Sequence, residues 1–348
     1  MPAQFESLSD LRVIIPNLHW RYSGVTATNR MVAPKLAAMQ PAVWFGPDAP
    51  DGIATLSVGG LLKLWRRRAP LIWHARRNNE MIAGLALRAL GWPLKLVFTS
   101  AAQRHHTWIT RWLIARMDAI IATSEASASY LTRAARVIPH GVDTDLYAPA
   151  TDRAALLAEA GLAGKIAIGC FGRVRAQKGT DVFVDALCAV LPRHPDAIGV
   201  IVGQITSDQT AFADGLREKI AKAGLQSRIL MLGELPIEDV RRWFQRLSIY
   251  AFTSRNEGFG LTLIEAMACG LALVAARAGA AELVVEDGEN GILMPTGDAP
   301  ALAAALESLL SDPASIAAMG MKARACVLAS FNLEAEARAI SEVYRSLD

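Results

Sequence analysis

Short β-rich runs and helical stretches alternate along almost the whole of this 348-residue chain, and that rhythm leaves few folds open. A repeating strand–helix–strand pattern closes into parallel sheets covered by helices on both faces. In the first half, residues 12–15, 71–73, 96–99, 119–123 and 137–139 read as buried strands. In the second half, 166–171, 199–202, 229–232, 249–252 and 272–275 are strands, separated by helical segments near 180–191, 211–223, 238–246 and 261–268. Periodicity breaks at Tyr147-Ala148-Pro149-Ala150-Thr151. Beyond Pro300 the chain turns helical and Ala-rich, with one helix beginning at Pro313 and a last one over about 333–347. The expected class is α/β, with two doubly wound, Rossmann-like domains facing across a cleft, one over 1–148 and one over 149–330. Such sheets bind ligands beyond the carboxyl ends of their strands, so the loops there carry the search for function.

Composition closes off several other classes. Apolar residues make up 52% and charged residues 20%, enough to bury a core in each domain. The longest uncharged run is the 12 residues 36–47, shorter than the roughly 18 to 20 apolar residues of a spanning helix. Glu6 and Asp10 stand where a signal peptide is basic and then apolar, so export is not expected. Cys170, Cys188, Cys269 and Cys326 are scattered without metal-type spacing and fit reduced cysteines in the cytoplasm. Charge is lopsided: residues 1–150 hold 17 Lys+Arg against 9 Asp+Glu, and the remainder 19 against 24. A basic first half suits an acidic partner or an anionic membrane surface, or is ordinary solvated charge.

The richest stretch is Ser254-Arg255-Asn256-Glu257-Gly258-Phe259-Gly260-Leu261-Thr262-Leu263-Ile264-Glu265, a loop after one strand running into a helix. Gly258 and Gly260 let a phosphate approach bare backbone, and the amides of the first helical turn, from Leu261 and Thr262, point at it. Glu257 and Glu265 bracket the turn, where a carboxylate can accept from vicinal sugar hydroxyls. The alternative is a helix-terminal acid and a surface acid around a simple turn. A second cluster, Gly172-Arg173-Val174-Arg175-Ala176-Gln177-Lys178-Gly179, follows another strand of the same sheet. Arg173 and Lys178 can neutralise a departing diphosphate, so the two clusters can converge on one ligand. Gly258-Phe259-Gly260 lacks the third glycine of a dinucleotide fingerprint, and no G-x4-G-K is present. Asp143-Thr144-Asp145 is formally D-x-D but lies between the domains, where capping or a hinge role suits it better than a metal.

These motifs resemble, over nearly the whole chain, retaining glycosyltransferases of family 4 with the GT-B fold. The E-x7-E element is Glu257 and Glu265, and the basic pair is Arg173 and Lys178. The resemblance implies Glu257 at the donor hexose hydroxyls, Glu265 on the ribose, and Arg173 and Lys178 on the diphosphate. Leu235-Pro236 matches the base-binding loop, Asp143 a hinge element, and Gly24 in Ser23-Gly24-Val25-Thr26 the loop that approaches donor phosphate and acceptor. His140 stands where the family pattern has Asn. A C-terminal helix over about 331–348 is expected to pack back on the first domain. No metal or other cofactor is implied; the nucleotide-diphosphate sugar is a co-substrate.

Two polar loops of the first half follow neighbouring strands: Trp73-His74-Ala75-Arg76-Arg77-Asn78-Asn79-Glu80 and Thr99-Ser100-Ala101-Ala102-Gln103-Arg104-His105-His106. Together they suggest a cation-rich acceptor pocket of Ser23, His74, Arg76, Arg77, Asn78, Arg104, His105 and His106. Ser100 and Ala101 occupy the place where many family members carry a His, so His105 or His106 can serve only if the loop bends back. The two loops are similar to those of lipopolysaccharide core mannosyltransferases of Gram-negative bacteria. That narrower resemblance implies a GDP-mannose donor and a lipid-A-linked core acceptor, with Arg66-Arg67-Arg68, Arg76, Arg77 and Arg104 as counter-charges. Trp65, beside the Arg triplet, suits either the membrane interface or the core. Nucleic acid is not an expected partner. The enzyme expected is a retaining, metal-independent hexosyltransferase, held at the inner face of the cytoplasmic membrane. The rivals are a UDP-hexose transferase with another lipid or glycan acceptor, a sugar-nucleotide epimerase or hydrolase on the same fold, and a non-catalytic scaffold.

Overall fold

The computed structural model describes residues 8–20, 24–65 and 67–347. The chain divides into two compact units, one of residues 1–141 and 331–348 and the other of 142–330. In the first unit the strands are β1 (Val13–Pro16), β2 (Ala42–Phe45), β3 (Ala54–Thr55), β4 (Leu71–Ala75), β5 (Leu94–Ser100), β6 (Ala119–Ala122) and β7 (Arg136–Val137). They form one parallel sheet in the order β3-β2-β1-β4-β5-β6-β7. The second unit holds β8 (Ile166–Phe171), β9 (Ala197–Val202), β10 (Ile229–Gly233), β11 (Ile249–Phe252), β12 (Ala272–Ala276) and β13 (Ile292–Met294), ordered β10-β9-β8-β11-β12-β13. Each sheet reverses its winding once, between β1 and β4 and between β8 and β11. Parallel doubly wound sheets open a crevice for ligand at that reversal.

Strand periodicity explains the double-sided cores. Ile14, Trp73, Leu96 and Phe98 belong to one buried cluster, whereas Val13, Ile15, Ile72 and Val97 belong to another on the opposite face. Successive strand residues point to opposite faces, so near-continuous apolar runs are what a sheet covered on both sides requires. The second cluster is closed by two helices, Gly24–Met39 with Val32 and Leu36, and Leu333–Arg345 with Ala337, Ile340 and Tyr344. The C-terminal helix therefore lies in the first unit although its sequence follows the second. It is bolted by buried polar contacts: Glu336 accepts from the Gly141 amide at 2.8 Å and pairs with His140 Nδ1 at 2.9 Å. Gly141 passes so close that an added Cβ would lie 2.3 Å from the Asn332 carbonyl oxygen.

The structure adds β2, β3 and β13 to the strands read from the pattern, and places β7 at Arg136–Val137 rather than 137–139. β3 and β13 are two- and three-residue edge strands, too short for periodicity to register. The units divide at Gly141 rather than near 148 because the segment after it belongs to the second core. Tyr147 is buried there, its ring 5.8 Å from that of Phe244, which in turn lies 4.6 Å from Phe171.

Replacing Glu336 by Ala strips the buried Gly141 amide and His140 of their acceptor, and should lower stability by about 3 kcal/mol. Urea unfolding would check this, with Glu336→Gln, which keeps one acceptor oxygen, losing less; a loss below ~1 kcal/mol would show the helix is held by apolar packing alone.

Candidate functional site

At the carboxyl end of β8 the chain leaves the sheet at Gly172, exposes Arg173, and makes a 3-10 turn over Ala176–Lys178. Gly179 ends that turn at φ 67° and opens the helix Thr180–Val190. Only glycine fits: a Cβ would stand 2.0 Å from the carbonyl oxygen of Thr253, just beyond β11. The contact is sewn by further bonds. The Thr253 hydroxyl donates to the Lys178 carbonyl at 2.9 Å, and the Arg255 amide to that of Gln177 at 2.8 Å. The Gln177 side chain donates to the Asn256 carbonyl at 3.1 Å. The Arg255 guanidinium grips Asp181 with two bonds of 2.8 and 2.7 Å. Burial raises the Asp181 pKa, but the Arg255 bonds and charge outweigh it and hold it below the usual carboxylate range.

This stitching sets two sequence-distant groups against each other. Lys178 Nζ forms an ion pair with Glu257, both side chains being largely buried, and Ser254 Oγ donates to the same carboxylate at 2.9 Å. Phe259 is buried and anchors the turn; its carbonyl accepts from the Ala280 amide at 2.8 Å. Gly258 precedes it, and Gly260 follows at φ 95°, where a Cβ would run into the Phe252 ring at 2.6 Å. The helix Leu261–Ala268 then starts with no side chain capping its first turn, so the partial positive charge of its N-terminus stays available to an anion. The Thr262 hydroxyl is turned toward Tyr250. Leu235, half-buried, follows β10, two strands along from β8.

Glu265, one turn into that helix, faces Tyr147 and Arg241. Burial raises its pKa to about 7, against the opposing pull of the Tyr147 hydrogen bond and the Arg241 charge. The Arg241 guanidinium lies 5.7 Å from the centre of the Tyr147 ring. Tyr147 itself is pushed above its ordinary value, by burial first and by Glu265 second. The carboxylate proposed for ribose thus lies beside a tyrosine that the sequence motifs did not single out; its only signal was its place just after Gly141-Val142-Asp143. Asp143 caps its own turn, accepting from the amides of Asp145 and Leu146 at 3.0 Å each.

In the first unit the expected acceptor residues separate into distinct groups. Ser23 and Arg66 lie outside the described residues. Gly24 begins the helix after β1, with open space where a side chain would stand. His74 is buried, its Nδ1 2.5 Å from the Tyr344 hydroxyl and its Nε2 2.7 Å from Thr99 Oγ1, so both ring nitrogens are engaged inside the protein. Burial, aided by the Arg76 charge, holds it well below the ordinary histidine pKa and hence neutral. Arg77 is consumed locally by Asn17 at 2.9 Å, Glu80 at 3.0 Å and Thr26 at 2.7 Å. Asn78 donates to Thr110 Oγ1 at 2.8 Å. Arg104 is exposed. His105 is also exposed and stacks edge-on against Tyr130 at 5.2 Å. His106 does bend back, its Nε2 3.5 Å from Ser100 Oγ, with its pKa lowered by burial and then by Arg104. Among the described residues of this set, Arg76 alone is both buried and without a hydrogen-bond partner at two of its nitrogens.

A surface feature escaped the sequence reading. The helix Trp108–Ile114 leaves Trp108 71%, Ile109 47% and Trp112 48% exposed, with Arg116 stacked 3.6 Å over the Trp112 ring. Its signal was Trp-Ile-x-x-Trp, apolar residues on the face opposite the buried Thr110 and Ile114. Trp65 is 46% exposed but tied down, stacking on Trp92 and donating to the Leu90 carbonyl at 2.9 Å. Among the described residues no helix is long and apolar enough to cross a membrane, and no three His, Cys, Asp or Glu side chains cluster as metal ligands would.

Residues 27–146 match the family described as Glycosyltransferase Family 4, and residues 165–312 that described as Glycosyl transferases group 1. The chain is 48% identical to the lipopolysaccharide core biosynthesis mannosyltransferase LpcC of Rhizobium leguminosarum bv. viciae, over 98% of this chain and 97% of that one. It is 41% identical to the lipopolysaccharide core biosynthesis mannosyltransferase LpsB of Rhizobium meliloti (strain 1021), over 98% of this chain and 99% of that one. The crystal structure of Anabaena Alr3699/HepE in complex with UDP superposes with a TM-score of 0.83 at 22% identity, covering 97% of this chain and 100% of that one, a likeness of fold.

The raised Glu265 pKa has a defined sign. Its contribution to stability is fully present below the ordinary value of 4.5 and is lost as pH rises through about 7. The difference in unfolding free energy between the native chain and Glu265→Gln should therefore shift against the native chain across that window. A pH-independent difference, measured by urea unfolding, would mean the carboxyl is not withdrawn from water.

Proposed function

The chain belongs to glycosyltransferase family 4, and from that footing we propose that it transfers mannose from GDP-mannose to the inner core of lipopolysaccharide. Transfer would proceed with retention, without a metal, at the inner face of the cytoplasmic membrane. The observation that carries the reading is the meeting of Lys178 and Glu257 from two loops at the β8–β11 reversal, beside an uncapped helix N-terminus. A cation, a carboxylate and open helix amides are the groups a sugar diphosphate needs in one place. The near full-length likeness to two lipopolysaccharide core mannosyltransferases supports the choice of mannose and of the core acceptor.

On this reading the donor exchanges one ion pair for two sets of contacts. Its diphosphate takes Lys178 and Arg173, and its hexose hydroxyls take Glu257. Glu265 accepts from the ribose and Leu235 lies along the base. As the bond from the anomeric carbon to the phosphate oxygen breaks, Arg173 and Lys178 stabilise the charge that grows on the leaving diphosphate. The departing phosphate oxygen accepts the proton of the acceptor hydroxyl arriving on the same face. A protein base is then not obligatory, which suits a chain whose His74 is buried and doubly engaged.

The test is a donor panel of GDP-mannose, UDP-glucose and UDP-galactose with a truncated core lipid, run in excess chelator. Mannosyl transfer with retained anomeric configuration is expected, and Arg173→Ala or Lys178→Ala should lower kcat by roughly 10²- to 10³-fold. Success only with a UDP-sugar would overturn the donor, dependence on added Mg²⁺ the metal-free mechanism, and release of free sugar alone the transferase reading itself.

Membrane association is supported by the Trp108–Ile109–Trp112 face with Arg104, Arg111 and Arg116 near it in sequence, aromatic and cationic groups that suit an anionic lipid interface. Each cation near such a surface contributes about 1 kcal/mol. Sedimentation with phosphatidylglycerol vesicles should be salt-sensitive and fall when Trp108 and Trp112 are both replaced by Ala; no binding at low salt would remove the claim.

A further inference from the structure

We infer that Arg76 is the residue through which the first unit binds one anionic group of the acceptor, a carboxylate or a phosphate. This rests on the reading of that unit as the acceptor side. Arg76 follows β4 at the β1–β4 reversal and is only 7% exposed. Its backbone amide is fixed by Glu80 Oε2 at 2.7 Å, but Nε and Nη2 are buried and lack any hydrogen-bond partner. These two N–H groups share one edge of the guanidinium and point the same way, forming the fork that meets two oxygens of a single anion.

Arg76 lines a cavity of about 30 Å³ together with Val25, Thr28, Thr99, Ala101 and His140. A cavity needs about 10 to 15 Å³ to take a single water, so this one admits the oxygens of a small anionic group and little more. The neighbouring polar groups are already committed: Thr28 donates to the Val25 carbonyl at 3.0 Å, Thr99 is bonded to His74, and His140 pairs with Glu336. The nearby carboxylates are committed as well, Glu80 to Arg77 and Glu336 to His140. Among the described residues no carboxylate forms an ion pair with Arg76, so a buried positive charge is left for a ligand to complete. Arg77, its neighbour in sequence, is spent on Asn17, Glu80 and Thr26, which separates a ligand-seeking arginine from a structural one.

Two measurements on the full chain test this. First, thermal unfolding is followed against inorganic phosphate and, separately, acetate, at ionic strength held constant with chloride. A saturable rise in melting temperature is expected that survives in an Arg173→Ala/Lys178→Ala double variant and disappears in Arg76→Gln; which anion acts tells phosphate from carboxylate. A rise that instead disappears in the double variant, or none at all, would mean the cavity holds water only. Second, with the truncated core lipid, Arg76→Gln should raise the acceptor KM by about 10- to 100-fold with a far smaller change in donor KM, and Arg76→Lys, a point charge without the fork, should fall between. Unchanged acceptor KM would overturn the inference. Should Arg76→Gln fail to fold, Ala101→Leu fills the cavity without touching the charge, and it must abolish the rise in melting temperature and raise the acceptor KM in the same way. If the native chain transfers no sugar, the function proposed above fails, whereas the anion titration still decides the role of Arg76.

Discussion

The approach of Gly179 to the Thr253 carbonyl is the contact on which the chemistry of the second unit depends. β8 and β11 pair in parallel with Ile168 opposite Ile249, which brings both strand ends to the same edge at the reversal of winding. Parallel pairing alone would leave two loops side by side. The missing Cβ at Gly179 lets them touch, and the bonds from Thr253, Arg255 and Gln177 then prevent them from separating. Lys178 and Glu257 meet because the backbone carrying each is already fixed, so neither long side chain has to be ordered by the ion pair itself.

That preorganisation has a consequence for binding. A partly buried ion pair gains Coulomb energy but has surrendered much of its hydration, so its net contribution to stability is small. On the proposed reading, exchanging it for a diphosphate on the lysine and hydroxyls on the carboxylate is correspondingly inexpensive. Glu265 works under a different constraint. It is withdrawn from water beside Tyr147 and Arg241, and burial outweighs both partners, raising its pKa to about 7. The two acids of one short motif therefore sit in opposite electrostatic surroundings.

The first unit owes its rigidity to residues from the far end of the chain. Tyr344 fixes the His74 ring and Glu336 caps Gly141, both from the helix Leu333–Arg345. Their effect is to turn His74 into a buried structural group and to hold the β4 and β5 ends still, leaving Arg76 as the buried cation whose fork is open. Among the described residues, the basic character of this half thus resolves into arginines that brace loops, arginines at the surface and one proposed to wait on a ligand.

The alternation of strands and helices was legible because buried parallel strands need unbroken apolar runs, and the runs at Ile166–Phe171 and Ile249–Phe252 coincide with β8 and β11. The loops rich in glycine and charge were legible too, since only glycine tolerates φ 67° at Gly179 or φ 95° at Gly260. β3 and β13 were not, being edge strands whose pairing rather than composition defines them. Nor could sequence tell Arg76 from Arg77, or show that His74 would be sealed by Tyr344. Local propensity and spacing act over a few residues, so by themselves they determined the elements and the loops between them. Which side chains in those loops are spent on the protein, and which remain for a ligand, was decided only by contacts between residues far apart in the chain, because a polar group's partner is set by position in space.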